Sequence, residues 1–374
     1  MNWTKAYKSI KSFVKSFLVA FAILITLEIF FRSLNLDVGI NERFSDQDII
    51  TIYGKENLDD YKKVIKEQGE PWIYKPLVEF VEVPRDGDFV SVSDDNIRCN
   101  INGDNSCIIK SGKQVIWIFG GSTTFGYGVK NNETIAAHLN AMMPDYEVIN
   151  FGQAAYYSTV ENILFNSYLS QGLIPEIAIF IDGLNDYYFY QTPDRSVASD
   201  NINDRLSNNI ETLSDRNKFI KFLKNIARNF ELVLWINNKF KSLSANDNQK
   251  YEIQTDEIIK KVEKRLEYNF LSRVAIADVL NFKVINVLQP VPSYGVGHKT
   301  SLVPEELVSI NNHLNSGRGY ELIDRSNLGK INLDFIDMSL LEISGPMYVD
   351  TVHYSSQTNK EIAMRLYKHI QEYE

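Results

Sequence analysis

Residues 114–126 read Gln-Val-Ile-Trp-Ile-Phe-Gly-Gly-Ser-Thr-Thr-Phe-Gly. Val115 to Phe119 is an unbroken apolar run, closed by Gly120 and Gly121. A short apolar run without alternation marks a strand covered on both faces, as in a parallel sheet. Ser122 then falls at the carboxyl end of that strand, which is where open parallel sheets bind ligands.

The same rhythm continues outward from this stretch. The pattern predicts a helix from about Glu133 to Met143, a strand over Tyr146 to Asn150 and a helix over Ser158 to Ser170. Further strands are expected at Glu176 to Ile181 and at Lys283 to Leu288, the latter ended by Gln289-Pro290, and a last helix over Ser356 to Tyr373. Alternating strands and helices indicate an α/β fold with a parallel sheet and helices on both faces. Between the third and fourth strands, about 191–280 reads as a long, mostly helical insertion. Phe219, Phe222, Leu223, Ile226 and Phe230 recur at helical spacing, as do Ile258, Ile259, Val262 and Leu266. Such stripes are read as core packing, with a lid or membrane contact as the alternative.

Upstream, residues 35–112 read as an extension packed on the main domain. They hold candidate strands at Val78 to Val83 and Phe89 to Val92 and a turn at Asp86-Gly87. Residues 13–34 are long and apolar enough for a spanning helix, with Lys15 and Arg32 placed to snorkel and Glu28 near one interface. The segment that follows lacks a small-residue cleavage site. Lys5, Lys8, Lys11 and Lys15 precede it, which predicts a cytoplasmic tail over 1–12 and an exported remainder. The alternative is an amphipathic helix lying on a membrane or on the domain.

The 374-residue chain is 44% hydrophobic and 23% charged, enough for a sizeable core. Its net charge of -9, with no basic face, argues against a nucleic-acid partner. Cys99 and Cys107 have no metal-ligand spacing. They form one disulfide if the domain is exported, or stand as free thiols in a loop.

Three strand-end segments, 120–126, Asn150-Phe151-Gly152-Gln153 and Asp182-Gly183-Leu184-Asn185-Asp186, and a fourth near the chain's end, Asp350-Thr351-Val352-His353, carry the chemistry. A serine is a poor nucleophile until a base takes its proton. Asp350 and His353, three residues apart, can meet within one turn, so that the carboxylate orients the imidazole and leaves its other nitrogen for Ser122. An acyl-transfer oxyanion needs preorganised donors, and the amides of Ser122 and Gly152 with the side chain of Asn185 are the candidates. Taken singly, Ser122 and Asp350 read as helix caps, Gly152 and Asn185 as turn residues and His353 as a surface histidine. The glycine-rich stretch lacks both the P-loop lysine and the dinucleotide fingerprint. Asp186 reads as structural and Gln289 as a loop residue, although its strand-end position leaves substrate contact open. His138, His298, His313 and His369 have no partner pattern.

The four blocks, in the order Ser, Gly, Asn, His, resemble the SGNH hydrolases, also called GDSL-type esterases and lipases. The resemblance runs from Gln114 to the carboxyl terminus. It implies a flavodoxin-like three-layer α/β/α sandwich, a Ser122–His353–Asp350 triad and cleavage of a carboxylic ester through an acyl-enzyme. It implies no cofactor and no metal. Gly121 departs from the family pattern, in which an aspartate usually precedes the serine. Membrane-anchored relatives suggest O-acetyl groups of a cell-surface glycan as substrate. Two rival readings stand beside hydrolysis: an O-acyltransferase with a glycan acceptor, and a catalytically idle, membrane-tethered binding or assembly protein.

Overall fold

Five parallel strands form the central sheet, in the order β4-β3-β5-β6-β7: β3 (Gln114–Gly120), β4 (Tyr146–Asn150), β5 (Ile177–Asp182), β6 (Lys283–Leu288) and β7 (Phe335–Asp337). A separate hairpin pairs β1 (Ile73–Lys75) with β2 (Glu79–Val81). The helices in chain order are α1 (Asp46–Tyr53), α2 (Leu58–Gln68), α3 (Ser122–Phe125), α4 (Ile135–Met142), α5 (Ser158–Leu169), α6 (Leu184–Tyr188), α7 (Asp256–Leu280), α8 (Leu314–Leu322), α9 (Arg325–Ile331) and α10 (Ser356–Gln371).

The computed structural model describes residues 46–68, 72–101, 114–188, 256–295, 314–332 and 334–372, with Ser16 and Thr26. The chain divides into two units. The elements above belong to Arg43–Ile202 with Tyr251–Glu374. The other unit, Met1–Glu42 with Asn203–Lys250, lies outside the described residues apart from Ser16 and Thr26. The expected anchor over 13–34 and the stripe from Phe219 to Phe230 fall there. Among the described residues, no helix is long and apolar enough to cross a membrane.

Alternation along each strand sends side chains to two separate cores. Ile116, Ile118, Ile177 and Ile179 pack with Leu139 of α4 and Leu366 of α10 on one face. Trp117, Phe119 and Phe180 pack with Leu164 and Phe165 of α5 and Ala277 of α7 on the other. The sheet is therefore the middle of three layers, and its inner strands are mostly apolar because neither face meets water there. Numbered within the sheet, the order is the flavodoxin-like 2-1-3-4-5, whose switch point lies between β3 and β5, where ligands bind. Both Ser122, after β3, and Asn185, after β5, stand at that point.

The stretch read as an insertion splits in two. Residues 189–255 are outside the description, whereas α7 is the crossover helix between the parallel strands β5 and β6. Its stripe of Ile259, Val262 and Leu266 is buried in a core with Tyr187 and Tyr320. The upstream extension begins with two helices that the sequence did not announce, α1 and α2. The expected strand at Phe89 to Val92 is reduced to bridges of Val92 with Arg85 and with Arg98. Arg98 bridges in turn to Asn150, which fastens the extension to the edge strand of the sheet.

Under the carboxyl end of β5 lies a buried ionic network. Arg273 of α7 is fully buried and hydrogen-bonds Asp182, with Glu161 3.7 Å away. It also donates to Asn286 Oδ1 at 2.9 Å and to the carbonyl of Ser158 at 3.1 Å, and stacks over the Phe180 ring. Asp186 accepts from Ser158 Oγ at 2.5 Å and from the Gly183 amide at 3.3 Å, and pairs with Arg265. Burial and the neighbouring Asp182 charge hold the Glu161 carboxyl well above its ordinary value. Arg273 and Arg265 stand against the Asp182 and Asp186 carboxylates in this network.

Candidate active site

Ser122 opens α3, a single helical turn. The Thr124 and Phe125 amides return to the Gly121 carbonyl, and those of Gly126 and Tyr127 return to the Ser122 carbonyl. The Ser122 amide lies in the first turn of the helix, where N–H groups have no intrahelical acceptor. Behind the turn, Asn150 donates from Nδ2 to the Thr124 carbonyl at 3.0 Å and accepts the Gly152 amide on Oδ1 at 2.9 Å. Gly152 lies so close that a Cβ would stand 2.3 Å from the Phe125 nitrogen. Its lack of a side chain is what lets the β4 loop brace the Ser122 turn. Its amide is already engaged with Asn150, so any role toward an oxyanion would be shared with that bond.

Asn185, near the start of α6, donates from Nδ2 to the Tyr156 carbonyl at 2.7 Å. The amide carries a second N–H, left for another acceptor. This nitrogen lies against Gly121: a Cβ there would come within 2.3 Å of it. The departure from aspartate at position 121 thus has a local reason, because only glycine leaves Asn185 its place beside the serine. Asp186, by fixing the Gly183 amide and Ser158, holds this turn, in keeping with its structural reading.

On the loop before α10, His353 Nδ1 lies 2.6 Å from Asp350 Oδ2. Asp350 Oδ1 accepts the amides of Val352 at 2.8 Å and His353 at 2.7 Å. Burial by itself would raise the Asp350 carboxyl. The adjacent His353 charge and these hydrogen bonds outweigh it and hold the group well below the usual carboxylate range. An ionised carboxylate only accepts, so Nδ1 carries a proton, and in the neutral imidazole Nε2 presents the lone pair. Among the described residues, neither Ser122 Oγ nor His353 Nε2 has a hydrogen-bond partner. Catalytic hydrogen bonds are often long before substrate arrives.

Tyr127 joins the two loops. Its ring stacks on the His353 imidazole, with centroids 5.3 Å apart and planes inclined by 26°. Its hydroxyl donates to Glu82 Oε1 at 2.6 Å. Glu82 is fully buried and also accepts from Trp72 Nε1 at 3.1 Å and Arg85 Nη2 at 2.8 Å. Its own amide donates to Gln153 Oε1 at 2.9 Å. Tyr53 donates to the Gly128 carbonyl at 2.8 Å. Residues upstream of the sheet therefore build the wall behind His353. Sequence reasoning missed this wall, since nothing in residues 35–112 carries a pattern that points to a distant loop. Gln289 is 2% exposed, with Oε1 3.5 Å from Thr123 Oγ1, which places it behind the turn.

If Asn185 is a donor to the oxyanion, Asn185→Ala should lower kcat by roughly 10²- to 10³-fold with little change in KM. Gly121→Ala, which pushes the same nitrogen aside, should reproduce the loss. Steady-state kinetics with a melting curve on the same preparations check this. Near-normal kcat with a lowered Tm would make Asn185 a turn residue.

Cys99 is buried and disulfide-bonded. Cys107, the only other cysteine in the chain, lies outside the described residues. Among the described residues, no group of three or more His, Cys, Asp or Glu side chains is placed to hold a metal ion.

No family model matches the chain, and no curated protein matches it. Among solved structures it is similar to an acetyl xylan esterase, with 15% identity and a TM-score of 0.39, over 68% of this chain and 99% of that one. It is similar also to a carbohydrate acetylesterase from Sinorhizobium meliloti, with 14% identity and a TM-score of 0.39, over 70% of this chain and 100% of that one. A third similar structure is an inhibitor-bound aryl esterase from M. smegmatis, with 14% identity and a TM-score of 0.36, over 69% of this chain and 99% of that one. Identities and TM-scores this low carry no weight in assigning an activity.

Proposed function

We propose that this chain is an SGNH-type hydrolase that cleaves carboxylic esters through Ser122, His353 and Asp350. One observation carries the reading: an Asp350-held imidazole stacks on Tyr127, just past the turn that Ser122 opens at the switch point of the sheet, and neither Ser122 Oγ nor His353 Nε2 has a hydrogen-bond partner among the described residues. Ser122 Oγ attacks the ester carbonyl while His353 Nε2 takes its proton. Asp350 stabilises the imidazolium. The oxyanion is met by the Ser122 amide and the Asn185 side chain, with Gly152 sharing its amide. His353 then returns the proton to the leaving alkoxide, and water cleaves the acyl-enzyme by the reverse path. In a direct test, the wild type hydrolyses p-nitrophenyl acetate and Ser122→Ala, folded by circular dichroism, does not. Hydrolysis by the alanine variant at the wild-type rate would remove Ser122 from the mechanism.

The substrate in this reading is an O-acetylated glycan outside the cytoplasm, reached by a domain tethered through residues 13–34. The lysines before that segment and the disulfide at Cys99 support export. A phosphatase reporter fused after Glu374 should be active only when it has crossed the membrane. A reporter active solely in the cytoplasm contradicts the topology.

A further inference from the structure

The hairpin β1–β2 brings a large aromatic to the edge of the site. Trp72 is 42% exposed, yet its ring is fixed on two sides. One face stacks on Phe80, with centroids 4.7 Å apart and planes inclined by 16°. Its indole Nε1 donates to Glu82 Oε1 at 3.1 Å and lies 3.2 Å from Tyr127 Oη. Tyr127 in turn stacks on His353. Trp72 therefore stands one tyrosine away from the imidazole, with its polar N–H turned inward and hydrocarbon left toward solvent.

The Phe80 stack and the bond to Glu82 hold the indole rigid, so its exposed part offers a preorganised apolar face to a ligand. A ligand that stacks there brings a flat, weakly polar face. The electron-rich face of an indole favours groups carrying partial positive charge, and the C–H face of a pyranose presents such a set. We propose that Trp72 is a carbohydrate subsite, stacking on a pyranose ring of the acylated glycan whose ester Ser122 attacks. This rests on the esterase reading above and assigns to it a residue that holds the sugar.

The test compares an acetylated xylo-oligosaccharide with p-nitrophenyl acetate. Trp72→Ala should lower the ratio of kcat/KM between glycan ester and small ester roughly tenfold, with the change in KM for the glycan. Trp72→Phe keeps a stacking face but no N–H, and should recover most of that ratio. Equal losses on both substrates, unrescued by phenylalanine, would show that Trp72 acts only through Glu82 and Tyr127. An unchanged ratio in Trp72→Ala would equally overturn the subsite. A second arm uses Ser122→Ala titrated with the oligosaccharide, reading tryptophan fluorescence. Quenching that disappears in the Trp72→Phe double variant is expected. That same result from a protein whose wild type cleaves neither ester would reject the esterase and retain the subsite. Cleavage of both esters with no Trp72-dependent quenching would retain the esterase and reject the subsite.

Discussion

Asp350→Asn should reduce kcat by about 10⁴-fold while leaving the fold intact, as expected when a triad histidine is held in the wrong tautomer. The reason is directional. Asp350 Oδ1 faces two donors, the amides of Val352 and His353. In the variant, the side-chain oxygen must stay there, because an NH₂ in its place would meet two N–H groups. The NH₂ is then forced toward His353 Nδ1, now 2.6 Å from Oδ2. A donor at that position makes Nδ1 the acceptor and moves the ring proton to Nε2. The imidazole can no longer accept from Ser122. Kinetics on p-nitrophenyl acetate, with a melting curve to exclude unfolding, check the result. A loss below tenfold would mean that Asp350 does not set the tautomer.

Arg273→Met should destabilise the protein by about 3–5 kcal/mol, the range for breaking a buried ion pair from one side. Methionine replaces the volume but strands Asp182, which Arg273 pairs with, while Asp186 keeps Arg265. Glu161→Gln should behave otherwise. The amide imitates the protonated carboxyl, whose raised pKa comes from burial and from Asp182. A carboxyl with a raised folded pKa contributes stability below the ordinary glutamate value of about 4.3, and loses it as pH rises toward the folded pKa. The glutamine variant should therefore match the wild type at low pH and exceed it as pH rises. Denaturant unfolding of both variants across pH tests the pair. A fully stable Arg273→Met would show that the network carries little of the fold.

The inner strands of the sheet were legible because burial on both faces leaves mostly apolar runs, as in Val115 to Phe119 and, broken only by Asn286, Val284 to Leu288. The short edge strand Phe335–Asp337 was missed: three residues with one exposed end offer no period to read. The site residues were legible where they sit at strand ends. Asn150, which braces the serine turn, was quoted only as a neighbour of Gly152. Glu82, Tyr127 and Trp72 were not legible. Their meeting is made by tertiary packing of a segment with weak periodicity, in which Tyr127 reaches Glu82 and Trp72 across 45 and 55 residues of sequence. Gly121 looked like a flaw in the motif until Asn185 was seen to occupy the space.

The most direct test of the account is to treat the intact protein with a fluorophosphonate and map the adduct by peptide mass spectrometry. A single phosphonyl group on Ser122 is the predicted result, absent in Ser122→Ala and strongly slowed in Asp350→Asn. An adduct on any other serine, or none on a folded protein, would contradict the assignment of Ser122 as the nucleophile.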